Sequence, residues 1–269
     1  MKIQGVPITH PDKILFPEIG LSKIEMVNYY KRVAKYMIPY LKNRPLTLHR
    51  FPDGVNKQGF YQKNAADYFP DFIKTVQIKT EEGENTQIVC NNKKSLVYLA
   101  NQGTIGFHIW LSRTDKLRKP DKVVFDLDPS KDSFKKLKEG VKIIKAFMAK
   151  QGKECNVMTS GKKGIHIWYR IRRTTTFEDL RPKIKQYAEE LEKLHPEIFT
   201  TAIRKNKRNG KIFIDYLRNF YAQTSVCPYS LRPTKNAGIA MPLSWSELDD
   251  IPASDHFNVK NIDKRLKFK

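Results

Sequence analysis

The run Lys122-Val123-Val124-Phe125-Asp126-Leu127-Asp128-Pro129 constrains the fold more than any other stretch of the chain. β-Branched and aromatic residues stopped by a proline read as a short buried strand. Alternation along a strand sends Asp126 and Asp128 to one face and Leu127 to the other. Two carboxylates that close repel unless a cation lies between them, and hard oxygen donors suit Mg²⁺ or Mn²⁺. A pair of solvated carboxylates at a strand end has the same letters, so the remaining sequence must decide between the two.

Charge is the first discriminator. Fifty Lys and Arg against 28 Asp and Glu leave a net charge of +22, more than solubility requires. Such an excess favours a polyanion, because neutralising phosphates releases counterions, and it points to nucleic acid. With 40% hydrophobic residues in 269, the chain has material for a folded core of one large domain or two lobes. Cys90, Cys155 and Cys227 are odd in number and lack C-x-x-C spacing, which argues against a zinc site or disulfide framework and suggests a reducing compartment. The amino terminus has no signal-peptide pattern, and no apolar run approaches the ~20 residues of a membrane span, so a soluble, intracellular protein is expected.

Taken in order, Ser22 with Glu25 forms a capping box for a helix expected to end near Pro39. Lys23 lies in its first turn, where the dipole favours a bound anion, and Lys13 stands in the preceding turn segment; the two are a candidate phosphate pair or merely two surface lysines. Pro45–Pro52 reads as a strand. Phe60 and Tyr61 are adjacent aromatics on opposite faces of an extended segment, one able to be core and the other to stack on a base, or both able to lie in the core. Two or three strands are expected between Phe72 and Tyr98 around a turn at Glu81–Asn85, then a short helix at Tyr98–Asn101. Phe107–Trp110 alternates as a strand that places His108 and Trp110 on one face. Ser133 opens a basic amphipathic helix. Val157–Trp168 reads as strand, glycine-bracketed basic loop, strand, in which Ser160, Lys163 and His166 offer a hydroxyl and cations to phosphate oxygens. The loop is not a Walker A motif, and a plain hairpin is its bland alternative. A helix is expected from Thr176 or Phe177 to about Leu194. Ile212–Tyr216 is a second apolar strand carrying an aspartate, Asp215, the third carboxylate a two-metal centre needs. Arg232 follows as a triphosphate clamp, and the tail Lys264–Lys269 reads as basic and mobile.

These segments together resemble the polymerase domain of bacterial ligase D and its stand-alone archaeal relatives, the end-joining branch of the archaeo-eukaryotic primase superfamily. The resemblance runs from Thr9-His10-Pro11-Asp12-Lys13 through Arg44-Pro45-Leu46-Thr47, Phe107-His108, Val124–Pro129, Ser160–His166 and Phe213-Ile214-Asp215 to Pro228–Arg232 and Pro242-Leu243-Ser244-Trp245. It implies an α+β fold with a primase-like core: two central mixed or antiparallel β-sheets flanked by helices, the catalytic half similar to an RNA-recognition motif. It implies one catalytic domain over 1–269, with an N-terminal lobe to about 105, a catalytic lobe at about 106–250 and a basic tail at about 251–269. The activity implied is template-dependent nucleotidyl transfer at Asp126, Asp128 and Asp215, through two Mn²⁺ or Mg²⁺ ions. His108, Ser160, Lys163, His166 and Arg232 match nucleotide-binding positions. Lys13 and Lys23 match the pair that grips a DNA 5′-phosphate at a gap or double-strand break, and Phe60 and Tyr61 match the pair that packs on the template base. NTPs or dNTPs, with ribonucleotides preferred, are the implied substrates. A separate DNA ligase and Ku are implied partners in the cytoplasm of a prokaryotic cell, at the nucleoid and away from membranes. The chain carries no K-x-D-G ligase motif, so it would work beside a ligase or be a domain of a larger protein.

The sequence also departs from that pattern. His49 stands where a lysine is frequent, Lys162 where a glycine is usual and Ile109 where a proline is frequent, while Phe220-Tyr221-Ala222-Gln223 replaces a basic, glycine-containing run. A primase that starts strands de novo and a non-catalytic module that bridges DNA ends are the rival readings.

Overall fold

The computed structural model describes residues 1–80, 83–130 and 133–266. Two sheets carry the fold. The first has six strands in the order Phe199–Thr200, Ile212–Asp215, Lys122–Pro129, Ile165–Arg170, Asn156–Thr159 and Pro242–Leu243. Its first pair is parallel and the other pairs are antiparallel, so it is a mixed sheet. The second is antiparallel, in the order Thr224–Val226, Thr104–Trp110, Leu46–Arg50 and Phe60–Gln62. The expected α+β architecture with two central sheets is what the chain adopts, and one buried hydrophobic cluster runs through both sheets and the helices packed on them. Val123, Phe125 and Leu127 point into that cluster, fully buried, which leaves the opposite face of their strand to Val124, Asp126 and Asp128.

The helix Lys23–Leu41 starts as its sequence dictates. The Ser22 hydroxyl accepts from the Glu25 N–H, and the Glu25 carboxylate accepts from the Ser22 N–H at 2.7 Å. Such a cap stabilises a helix by about 1 kcal/mol. The helix does not stop at the expected Pro39 but continues to Leu41. A proline this late forfeits one bond, to the carbonyl of exposed Lys35, while Met37 and Leu41 are fully buried and hold the final turn in place. The same helix organises a distant segment: Tyr29 donates to the Tyr229 carbonyl at 2.7 Å, and the Tyr30 hydroxyl donates to the Ile105 carbonyl and accepts from the Leu231 N–H.

Elsewhere local structure follows the expectations with shifts at element ends. Two strands, Lys74–Thr80 and Gly83–Val89, form the ribbon between Phe72 and Tyr98, and Glu81 and Glu82 of its turn lie outside the described residues. The helix after it begins at Lys93, five residues earlier than expected, because Asn92 caps it by accepting from the Ser95 N–H. Ser133 and Thr176 cap the helices Phe134–Lys150 and Phe177–Leu194. The basic tail is fixed as far as it is described: Ile262 and Leu266 are buried and Arg265 forms an ion pair with Glu247 at 2.7 Å. Residues 267–269 lie outside the described residues.

Candidate active site

Strand register builds the acidic centre. Asp126 lies opposite Asp215 on one neighbouring strand and opposite His166 on the other, so three side chains from three strands form one row. Asp128, two residues along, joins them on that face. His166 Nε2 lies 3.0 Å from Asp126 Oδ1. The imidazole therefore supports the acid rather than reaching into open space towards a phosphate.

Among the described residues no three His, Cys, Asp or Glu side chains are already arranged to hold a metal ion. Instead Arg218 lies between the acids, its Nε 3.4 Å from Asp126 Oδ2 and 3.2 Å from Asp215 Oδ2. A guanidinium thus answers the repulsion that two buried carboxylates impose. Burial would raise the Asp126 carboxyl, but His166, Arg218 and Arg232 outweigh it and hold the group well below the usual range. Burial and the Asp126 charge raise Asp128 to about 6. Burial also raises Asp215, against the pull of Arg218. Three oxygen donors whose charges need a cation are a fitting set for Mg²⁺ or Mn²⁺ with further ligands from substrate or water.

The glycine-bracketed loop faces this centre. Gly161 has φ +70°, and a Cβ there would meet the Ile239 backbone at 2.6 Å; at Gly164 a Cβ would meet the Leu127 carbonyl at 2.6 Å. The loop is therefore pressed against both the catalytic strand and the segment after Arg232, which only glycine allows. Ser160 is held within the loop. Its hydroxyl accepts from the Gly164 N–H at 3.0 Å and the Lys162 N–H at 3.3 Å, so it braces the loop from within. Arg232 reaches across, Nη1 to the Ser160 carbonyl at 3.2 Å, and its buried Nε has no hydrogen-bond partner. Asp126, Asp128, Ser160, Lys163, His166 and Arg232 line one cavity of about 640 Å³, together with His108, Tyr61 and Arg218.

The far wall is aromatic. His108 is held neutral by burial, with Arg232 pushing the same way, and its Nε2 is buried without a partner. His49, which replaces a frequent lysine, is lowered to about 4 by burial and by Lys162, so this position carries no fixed cation. Tyr61 lies flat on it, ring centroids 4.1 Å apart at 15°. The expected division of Phe60 and Tyr61 into one core and one exposed ring does not hold: they are 47% and 59% exposed. Their three-residue strand is the uncovered edge of the four-stranded sheet, so both faces meet solvent, but only Tyr61 lines the cavity.

Lys13 and Lys23 come together in a separate cavity of about 200 Å³, away from the acids. Lys23 is buried and donates to Thr9 Oγ1 at 2.9 Å, and exposed Lys13 pairs with Asp53 at 2.5 Å. Burial lowers Lys23 to about 8, with Lys13 and Arg50 adding to the effect.

Comparison with known proteins settles the kinship. Residues 22–269 match the model of the LigD primase-polymerase domain. The chain belongs to the LigD primase-polymerase domain family. It is similar to the multifunctional non-homologous end joining protein LigD of Mycolicibacterium smegmatis, 30% identical over 98% of this chain and 35% of the relative. It is also similar to the bifunctional LigD of Bacillus subtilis, 33% identical over 96% of this chain and 42% of the relative. The chain thus spans well under half the length of these curated relatives. Its structure resembles the polymerase domain of Mycobacterium tuberculosis ligase D in complex with DNA, with a TM-score of 0.90, 27% identity, and coverage of 98% of this chain and 96% of that one.

Within this LigD-type domain three residues escaped sequence reasoning. Arg218 follows Asp215 by three residues, and the 3₁₀ turn Leu217–Asn219 folds it back over the acids. Asn219 then pins that turn to the catalytic strand, accepting from the Val124 N–H at 2.8 Å and donating to its carbonyl at 2.7 Å. Arg50, at a strand end, supplies a third cation to the lysine cavity. Only Arg218 left a signal, an arginine one turn after an acid that ends an apolar strand.

Proposed function

We propose that the chain is a DNA-directed nucleotidyltransferase that fills gaps or extends ends at breaks during non-homologous end joining. The observation that supports this most is the cross-strand row Asp215–Asp126–His166, with Asp128, facing the Ser160–Gly164 loop and Arg232 across one cavity. Asp126, Asp128 and Asp215 would hold Mn²⁺ or Mg²⁺, two ions in the reading of the site as a two-metal centre. When bound, such ions lower the pKa of a primer 3′-hydroxyl and stabilise charge on the triphosphate.

The chain's own groups do the rest. His166 keeps Asp126 ionised and fixed in orientation. Arg232, Lys162 and Lys163 supply positive charge where a triphosphate enters, and Arg232 Nε is a donor without a protein acceptor. Neutral His108 and the exposed face of Tyr61 suit a base and sugar rather than a phosphate. Arg218 must leave the acids when cations arrive, since all cannot share the same oxygens. Phe60 and Tyr61 would pack on the template base. Lys13 and Lys23, joined by Arg50, would take the 5′-phosphate at the gap or break. A preference for ribonucleotides, action beside a DNA ligase and Ku, and work in the prokaryotic cytoplasm belong to the same reading. Among the described residues, no helix is long and apolar enough to cross a membrane.

Primer extension tests it. A gapped duplex with a 5′-phosphate, supplied with Mn²⁺ and either NTPs or dNTPs, should be extended by templated nucleotides, faster with NTPs. Products formed without any primer would instead identify a de novo primase. Absence of incorporation with both Mn²⁺ and Mg²⁺ would leave only an end-bridging role.

A further inference from the structure

The face that carries the catalytic acids continues past them. Opposite pairs along the two strands run Asp126–His166, Val124–Trp168 and Lys122–Arg170. At ~3.4 Å per residue the Trp168 row lies about 7 Å from the acid row, and the Lys122–Arg170 row about 14 Å from it. Here a second cavity of about 780 Å³ opens, larger than the one beside the Ser160–Gly164 loop. The two share His166, Ser225 and Val226 as a partition.

The chemistry of this second cavity is unbalanced. Lys122 and Arg170 stand directly opposite each other, an arrangement of like charges that costs stability in an antiparallel pair. Among the described residues neither side chain has an ion-pair or hydrogen-bond partner. The one carboxylate in the wall, Asp121, is taken by Arg44 at 2.5 Å and Arg113 at 2.9 Å. Lys122 lies 5.9 Å from the Trp168 ring centroid, with the attraction of Asp121 too weak to offset its burial. Tyr36 and Tyr229 add aromatic wall. Partly exposed aromatic faces beside unpaired cations match the two halves of a nucleotide, and the volume lies within the range of small-molecule sites.

We propose that this cavity is a second nucleotide site, where Trp168 stacks on a base and Lys122 with Arg170 holds the attached phosphate. The ligand is a nucleoside phosphate, either a free nucleotide or an unpaired terminal nucleotide of a strand. Burial lowers Lys122 to about 7, with Arg44 adding to the effect, and a bound phosphate reverses that shift. His166 lines both cavities and holds Asp126, so the two cavities meet at one side chain.

The test uses the full chain with the catalytic cavity weakened by Arg232→Ala. Calorimetric titration with GMP should show one site, and Lys122→Met or Arg170→Glu in that background should raise its Kd about tenfold each. Lys150→Glu, with the same charge change as Arg170→Glu but at an exposed helix end, should leave it unaltered. Single-stranded DNA ending in 2-aminopurine should be quenched on binding, and the quenching should disappear with Trp168→Ala. Trp168 also packs against core residues, so exposed Arg170→Glu covers the case in which that variant misfolds. GMP binding alone identifies a free nucleotide as ligand, and quenching alone identifies a strand end. GMP affinity indifferent to Lys122→Met and Arg170→Glu, with no quenching, overturns the proposal.

Discussion

The acid-lined cavity and the lysine cavity gather charge in opposite ways. Around Asp126 the protein sets carboxylates against Arg218, His166 and Arg232, and each acid is displaced from its ordinary pKa. Around Lys23 the cations Lys13, Lys23 and Arg50 crowd together, and among the described residues the ion-paired acid nearby is exposed Asp53. In the proposed reading, the first arrangement takes metal ions beside its acids. The second is complete for an anion as it stands, and the depressed Lys23 records the cost of assembling it.

The sharpest test of that contrast removes one group from each side. Asp126→Ala or Asp215→Ala should lower Mn²⁺-dependent extension roughly a thousandfold or more while affinity for gapped DNA survives. Extension at the parental rate by either variant would break the assignment. Lys23→Met should do the reverse, sparing single-nucleotide incorporation at saturating DNA but weakening binding of a 5′-phosphorylated gap about tenfold to a hundredfold. A gel shift that ignores the 5′-phosphate in both proteins would end the phosphate role.

A protein-stability measurement separates the two regions further. Asn219→Ala leaves the Val124 N–H and carbonyl unpaired in the core, at a cost of about 2 kcal/mol, and should lower the Tm by roughly 5 °C. Because Asn219 also positions the Arg218 turn, extension should fall more than 5′-phosphate affinity does. pH distinguishes the regions more gently. A lysine lowered from 10.5 to about 8 is charged below that pH and loses its charge above it. The second ionisation of a terminal phosphate, near about 6, is complete well before that. The preference for 5′-phosphorylated DNA should therefore be full near neutrality and decline as pH rises through 8, and Lys23→Met should abolish that decline. The smallest effect is expected from Ser22→Ala, about 1 kcal/mol of stability with a slight loss of phosphate preference, since the cap sets the turn that carries Lys23.

Much of the fold was readable locally. Ser22, Ser133 and Thr176 cap helices where their letters predict, and alternation around Asp126 separates core from cavity. The misses share one cause. Pro39 disfavours continuation by local bonding, yet burial of Met37 and Leu41 carries the helix two residues past it. Phe60 and Tyr61 were divided between core and solvent because alternation assumes one covered face, and an edge strand has none.

What the sequence determined by itself is the chemistry available: paired acids on one strand face, a glycine-bracketed cationic loop, and an excess of positive charge. These rest on period-two alternation and on residue type, which act over a few residues. The tertiary structure alone decided which groups meet. Register between strands nearly ninety residues apart put Asp215 opposite Asp126, a turn pinned by Asn219 delivered Arg218 to both, and Lys122 came to face Arg170 with no acid between them. Such pairings depend on long-range strand register, which no short window of sequence encodes.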